Sequence, residues 1–397
     1  MKIAYVTSRF PYPVEKGDKL RAYHQIRSLS QKHDVYLFAL THSKVSQESL
    51  SSLKVYCRGV STFLIPRTKI LYNTAKALLN GLPFQVGYFL DSEAKKSFQT
   101  ELIQLQPDHV IAQLIRTSEY VRNIPFSKTL DYMDAFSFGA KQRSLNGHLL
   151  LRPFYRWEQK LLEKYERRIY ASFEHHIIIS HQDRDRLPLP YQKSVVVTPN
   201  GVDTTYFTPY ELKKKWTVLF VGNLGYLPNV EAAEFLVKRV MPVIWKQLPE
   251  ASVCLAGARP LNRVRKLAGP NVHVTGWVED IRDCHAQAEI FVAPMFSGMG
   301  LQNKMLEAMA MKMACVTTAI VNNAIGAVPG EHLAVGNSAQ EIGSQVLRLL
   351  RDKKKTKDMG NSARKFVELN FSWEEQNKKL DSLITQRKER KIKATVV

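Results

Sequence analysis

The chain is 397 residues long, 45% hydrophobic and 23% charged, which allows two domains with cores of their own. No apolar run is long enough to span a bilayer, and the opening KIAYVTS reads as a strand rather than a secretory leader, so a cytoplasmic protein is expected. Lys and Arg number 57 against 36 Asp and Glu, a formal charge of +21 that suits nucleic acid, an anionic membrane face or phosphorylated substrates.

No zinc-finger spacing, RNP-like aromatic motif or basic zipper accompanies that charge, so nucleic acid is not an expected partner. Cys57, Cys254, Cys284 and Cys315 are scattered, without a CxxC pair or metal-ligand spacing. They read as reduced, buried thiols, and no metal site is expected.

In chain order, the strand KIAYVTS is followed by a Pro/Gly loop (FPYPVEKGD), a helix over Lys19 to Gln31 and the buried strand VYLFAL. The runs TFLIP, HVIAQ, KTLDYMD and HHIIIS then alternate with helical patterns, as parallel strands with crossover helices do. Two segments, Arg67 to Phe89 and Leu149 to Arg168, interleave basic with leucine and aromatic residues. They fit a membrane surface or two ordinary amphipathic surface helices. Leu187 to Lys215 is turn-rich and contains prolines, which marks it as a hinge. The second half restarts the pattern at WTVLFVGN and continues through a helix near Val230 to Gln247, then ASVCLAG, NVHVTG, EIFVAP and ACVTT. Ser372 and Glu375 in SWEE form a capping box for a last helix, and a basic tail, RKERKIK, follows. The expected class is α/β, with two Rossmann-like doubly wound domains facing across a cleft.

The segment Ala293 to Thr317, APMFSGMGLQNKMLEAMAMKMACVT, carries the most chemistry. It reads as a strand end, a glycine loop, a helix and a short strand. Backbone N–H groups at such a helix start suit a phosphate. Lys304 and Glu307 project from one helix face, where a cation and a carboxylate could hold a phosphate and a ribose hydroxyl pair. A buried βαβ unit with a solvated Lys–Glu pair fits the same letters. A dinucleotide-dependent oxidoreductase requires GxGxxG after the first strand, but RFPYPVEKGDKLR holds only Gly17 and VGNLGY fails the pattern. Gly298-Met299-Gly300 is the only GxG, and a P-loop is absent.

Five blocks in order, KIAYVTSRFPYPVEKGDKLRAYHQIRSLS, VVVTPNGVDTTYF, LFVGNLGYLPNVEAAEFL, VTGWVEDIRD and GMGLQNKMLEAMAMKMACVTT, run across nearly the whole chain. Together they resemble the retaining, nucleotide-sugar-dependent glycosyltransferases of the GT-B fold, family 4, in particular the exopolysaccharide- and exosortase-associated branch. The resemblance implies an acceptor-binding domain over 1–190, a nucleotide-sugar domain over 191–371, and a terminal helix over 372–397 that crosses back to the first domain. Glu307 matches the last glutamate of the family's EX7E motif, which holds the ribose hydroxyls. The first glutamate falls at Met299, where this chain departs from the pattern.

The family's diphosphate-gripping Arg is replaced by Asn223, and no Lys follows it. Lys304 and Arg259 then become the candidate cations for the leaving group, with Glu307 completing the implied catalytic set. The implied donor site comprises Gly222, Asn223, Gly298, Met299, Gly300, Leu301, Asn303, Lys304 and Glu307. In the first half Gly17, Asp18, Lys19 and Arg21 are placed towards the acceptor, with an N-capping Asp and solvated cations as the alternative. Asp131 and Asp134 contact the acceptor or serve as caps, and Gln113 and Arg116 stand where relatives carry a histidine. Asn200 to Asp203 (NGVD) is turn chemistry that the resemblance places at the hinge. His24, His181 and His285 lack partners at catalytic spacing.

The implied reaction moves a sugar from a UDP- or GDP-sugar to a lipid-linked or polysaccharide acceptor at the inner membrane face, with retention and with no obligatory metal or cofactor. A sugar-nucleotide epimerase or hydrolase of the same fold is the alternative enzyme. A catalytically reduced scaffold is the alternative outside enzymes, favoured by Met299 and Asn223.

Overall fold

The structure, a computed structural model, describes residues 1–146, 148–296 and 300–395, without the side chains of 146 and 386–395. Two compact units divide it: Met1–Pro199 together with the segment from Glu374 onward, and Asn200–Trp373. Among the described residues each unit holds one parallel sheet flanked by helices, of seven and six strands. No helix among them is long and apolar enough to cross a membrane.

The first sheet comprises β1 (Lys2–Thr7), β2 (Asp34–Thr41), β3 (Gly59–Leu64), β4 (His109–Gln113), β5 (Ser127–Asp131), β6 (His175–Ile178) and β7 (Val196–Val197), in the order β3-β2-β1-β4-β5-β6-β7. Its central strands read as continuous apolar runs because helices cover both faces; Ile3, Ala4, Tyr5 and Val6 are all buried. The chain steps outward from β1 to β3, then returns to lay β4 on the other side of β1. The connections leaving β1 and β4 therefore diverge and open a crevice at the C-terminal edge of the sheet. The helix after β1 covers Gly17–Leu29, two residues ahead of the sequence expectation at both ends. Ala22, Ile26 and Leu29, spaced four and three apart, bury its inner face.

The last helix, Trp373–Thr395, docks on this first unit. Leu380 and Ile384 enter the core formed by Ile3, Val35, Ile26 and Leu29. Burying each aliphatic side chain contributes about 1.5–3 kcal/mol. Asn377 Nδ2 donates to the His24 carbonyl at 3.1 Å, and Asp381 accepts from Lys32 and His33, each at 2.7 Å.

The second sheet comprises β8 (Trp216–Val221), β9 (Val253–Ala256), β10 (Val272–Gly276), β11 (Ala288–Ala293), β12 (Ala314–Thr317) and β13 (Ala334–Val335), in the order β10-β9-β8-β11-β12-β13. Its switch point lies between β8 and β11. The single helix expected near Val230 to Gln247 is instead Leu227–Phe235, a π turn over Leu236–Val240 and Met241–Trp245. Pro242 has no N–H for the carbonyl four residues earlier, so the ladder widens there.

Candidate functional site

β8 and β11 leave the second sheet on either side of its switch point, the crevice where doubly wound folds bind ligands. The loop after β8 is pinned to the loop after β9. Gly222 N–H donates to the Ala256 carbonyl at 3.0 Å, Leu224 N–H to Ala258 at 2.9 Å, and Leu261 N–H back to Leu224 at 3.2 Å. Gly257 has φ +140°, and a Cβ there would sit 1.9 Å from the Gly222 carbonyl oxygen. Only glycine allows so close an approach.

Asn229, buried in the first turn of Leu227–Phe235, uses both halves of its carboxamide. Its Nδ2 donates to the Asn223 carbonyl at 2.9 Å, and its Oδ1 accepts from Lys304 Nζ. Asn223 Oδ1 in turn accepts from Gly225 N–H at 3.0 Å, closing the turn.

On the other side of the switch point, Thr317 Oγ1 donates to the Ala293 carbonyl at 2.8 Å and Thr318 Oγ1 to that of Met295 at 2.5 Å. Gly298 and Met299 lie outside the described residues. The chain resumes at Gly300, with φ +73°, passes the buried Leu301 and enters the helix Asn303–Ala310. Gln302, at the N-cap, makes no side-chain cap, and the first turn contains no acidic residue. The positive end of the helix is therefore not neutralised from within. Asn303 Oδ1 accepts from Asn200 Nδ2 at 3.2 Å, which ties the NGVD turn to this helix.

Lys304 Nζ lies against the Asn229 oxygen, 3.4 Å from Met295 Sδ and 5.0 Å from the Phe220 ring centroid. All three neighbours are neutral. Lys304 and Glu307 are densely surrounded by protein yet keep part of their surface open. Burial pushes the Lys304 ammonium down to about 7, with Glu307 resisting. Burial likewise pushes the Glu307 carboxyl up to about 7, with Lys304 opposing. The pair is thus a cation and an anion held near neutrality one helical turn apart, and an arriving ligand charge decides both states.

Arg259 is exposed and left-handed at φ +56°, in the loop Gly257–Pro260. Its carbonyl oxygen would lie 3.1 Å from a Cβ on Gly225, so its loop rests against the turn containing Asn223. The structure thus gathers Gly222, Asn223, Gly300, Asn303, Lys304 and Glu307 around one switch point. The side chain of Leu301, next in the chain after Gly300, is buried. Asn229, Phe220 and Met295 were not singled out from the sequence. The signal for Asn229 was available: an amide two residues into the helix that follows the glycine turn of the first strand.

In the first unit, Arg21 and Asp131 are fully buried against each other, with Nε to Oδ2 at 2.5 Å. Arg21 also donates to the Thr198 carbonyl and hydroxyl, each at 2.9 Å. Neither side chain has surface to offer an acceptor, so the contact expected of them gives way to a structural role that joins α and β segments. A Cβ on Gly17 would meet nothing within 4 Å, so protein packing does not demand glycine there. Asp18 pairs with Arg9 at 2.7 Å, and its carbonyl accepts from Gln113 Nε2 at 2.8 Å. Lys19 is half-buried and its ammonium is pulled below its usual range by burial. Asp134 is pushed up to about 7 by burial and by Asp183, against the pull of Arg116.

A family model described as Glycosyl transferases group 1 matches residues 215–352, within the second unit. An uncharacterised 44.6 kDa protein in the cps region of Klebsiella pneumoniae is 23% identical over 400 residues, covering 93% of this chain and 96% of that protein. A GDP-mannose-dependent alpha-(1-6)-phosphatidylinositol monomannoside mannosyltransferase of Mycobacterium tuberculosis is 26% identical over 210 residues, covering 46% of this chain and 53% of the mannosyltransferase. Among solved structures, Anabaena HepE in complex with UDP-glucose superposes with a TM-score of 0.70 at 12% identity, covering 97% of this chain and 100% of that one. That likeness establishes the fold.

Proposed function

We propose that the chain, which has the GT-B fold and matches the group 1 glycosyl transferase model over 215–352 of its second unit, is a glycosyltransferase that moves a sugar from a nucleoside diphosphate sugar to a surface-glycan acceptor. The observation that carries the donor assignment is Lys304, a cation lowered by burial at an uncapped helix start, with the Glu307 carboxylate one turn away. The diphosphate lies at the helix N-terminus and Lys304, and the ribose hydroxyls donate to Glu307.

Transfer proceeds with retention. The bond from the anomeric carbon to the diphosphate oxygen breaks while the acceptor oxygen bonds to that carbon on the same face. The acceptor's proton passes to the departing phosphate oxygen. No protein nucleophile takes part and no divalent cation is required; Lys304 and the helix dipole, with Arg259 as a second cation, stabilise the charge that develops on the leaving group. The first unit supplies acceptor contacts through Asp18, Lys19 and Asp134. The relative in a cps region and the mannosyltransferase acting on a phosphatidylinositol mannoside support a polysaccharide or lipid-linked acceptor. The charge of +21 fits peripheral binding to an anionic inner membrane face.

The test is a thermal-shift screen against UDP, GDP, ADP, CMP and TDP. A ligand that binds only the folded state raises the melting temperature. A shift with UDP or GDP that is lost in Glu307→Ala is the expected result; no shift with any nucleotide overturns the donor assignment.

A further inference from the structure

A second site lies in the first unit, lined by none of the residues assigned so far. A cavity of about 470 Å³ opens at the C-terminal edge of β2 and β3. Its walls are mainly apolar, built by Ile70, Leu71, Phe84 and Tyr88 from the helices Arg67–Leu79 and Phe84–Gly87 and the residue that follows. Thr74 and His42 also line it, and each holds a buried atom without a partner: Thr74 Oγ1 and His42 Nε2. Thr74 is only 4% exposed. The other ring nitrogen of His42 is engaged by the Ile65 carbonyl at 3.3 Å. Unpartnered buried polar atoms are rare in folded proteins and call for an occupant that can hydrogen-bond.

Charge surrounds the same space. Arg67 stands exposed at its mouth, at the start of its helix. Behind the cavity, the Phe89 ring lies 5.3 Å from the His42 ring, 5.7 Å from the Arg9 guanidinium and 5.1 Å from that of Arg116. Asp18 pairs with Arg9 and Asp134 faces Arg116, so the positive charge offered to the cavity is that of Arg67, the one cation among its lining residues.

The surface outside the cavity is apolar where a water-facing helix should be polar. Leu71, Tyr72 and Leu79 are 82%, 67% and 90% exposed on the helix that roofs it. Phe84 meets Phe154 edge to face at 5.9 Å, and the Glu158 carboxylate accepts from the backbone N–H groups of Phe84 and Gln85. These contacts bring the helix Arg152–Tyr170 alongside, and with it the exposed Leu149, Leu150 and Trp157. Arg67, Lys76, Arg152 and Arg156 are interleaved with these apolar groups. An apolar face of this extent with a cationic rim marks an interaction surface.

We propose that the cavity binds the hydrocarbon chain and phosphate of a lipid-linked acceptor, with Arg67 and the Thr74 hydroxyl on the phosphate and the exposed leucines resting on the bilayer. A hydrocarbon tail fills the apolar walls, and a phosphate on that tail answers both the orphaned polar atoms and the Arg67 guanidinium. The assignment rests on the glycosyl-transfer reading for the acceptor role; the cavity's preference for an anionic amphiphile stands on its own residues.

The test is titration calorimetry of the full chain with dodecyl phosphate below its micelle concentration, beside inorganic phosphate and dodecyl maltoside. Dodecyl phosphate should bind, and the other two about tenfold more weakly or worse, because each lacks one half of the recognition. Arg67→Glu should weaken dodecyl phosphate by about tenfold, and Ile70→Trp, which fills the cavity, should abolish binding. Both positions retain exposed surface, and an unchanged melting temperature and UDP affinity certify the fold.

Equal binding of dodecyl maltoside and dodecyl phosphate, or no effect of Ile70→Trp, overturns the assignment. A prenyl phosphate in neutral vesicles should displace dodecyl phosphate where phosphatidylglycerol does not; displacement by both reduces the site to general membrane contact and sinks the acceptor role. Dodecyl phosphate binding without any nucleotide binding would remove the transferase reading alone. Nucleotide binding without dodecyl phosphate binding would remove this inference alone.

Discussion

The Lys304 ammonium rests on the Asn229 carboxamide oxygen, which joins the helix leaving β8 to the helix leaving β11 at the switch point of the second sheet. Asn229 also holds the Asn223 carbonyl, so one amide fixes both the lysine and the turn beside it. Asn229→Ala removes both contacts and leaves the Asn223 carbonyl and the half-buried Lys304 ammonium without them. We expect a loss of about 1–3 kcal/mol in urea unfolding together with weaker nucleotide binding. A variant that melts earlier but binds UDP with unchanged affinity would detach Lys304 from the donor site.

Gly257→Ala tests the close approach of the two loops. The added methyl would fall 1.9 Å from the Gly222 carbonyl oxygen, at a φ of +140° that an alanine rarely adopts. The turn after β8 must then shift, at a cost of about 3 kcal/mol or more. Circular-dichroism melting should show it. Gly17→Ala, where open space surrounds the new methyl, should be within about 0.5 kcal/mol of the parent and serves as the control.

The two sheets were legible because strands buried on both faces leave uninterrupted apolar runs: KIAYVTS contains β1 and WTVLFVGN contains β8. The π turn at Leu236–Val240 was not, since Pro242 disturbs the ladder without breaking the apolar periodicity. Lys304 and Glu307 could be paired because three residues on a helix share a face, a local rule. Asn229 lies 75 residues before Lys304, and only strand order, which the letters do not encode, brings them together. Arg21 and Asp131 show the opposite error. Asp131 closes β5 and Arg21 lies in the helix that follows β1, both near a sheet edge where ligands are often bound, yet they are 110 residues apart and consume each other's charge.

That ion pair supports a stability prediction. Arg21 and Asp131 are both without exposed surface. Arg21→Met strands the buried carboxylate and should cost about 3–5 kcal/mol, whereas Arg21→Met combined with Asp131→Leu should recover much of that loss. A double-mutant cycle by chemical denaturation measures the coupling. Additive losses would show that the Thr198 contacts, rather than the ion pair, hold the segment.

On the proposed donor site, affinity should peak near neutral pH, because Lys304 and Glu307 are displaced in opposite directions. Lys304 is lowered to about 7 in the free protein, and an adjacent diphosphate raises it again. Binding above pH 7 therefore takes up a proton, and affinity falls as pH rises from about 7 towards the pKa of the bound state. Glu307 is raised to about 7, and ribose hydroxyls that donate to it favour the carboxylate. Binding below pH 7 therefore releases a proton, and affinity falls as pH drops from about 7 towards the lower bound-state value. Each limb approaches about tenfold per pH unit, the slope of a single linked proton. Calorimetry in buffers of different ionisation enthalpy reads the proton count directly: uptake at pH 8 and release at pH 6. Glu307→Gln should flatten the acid limb and Lys304→Gln the alkaline one. A profile that stays bell-shaped in both variants would place the titrating groups elsewhere and remove this pair from the donor site.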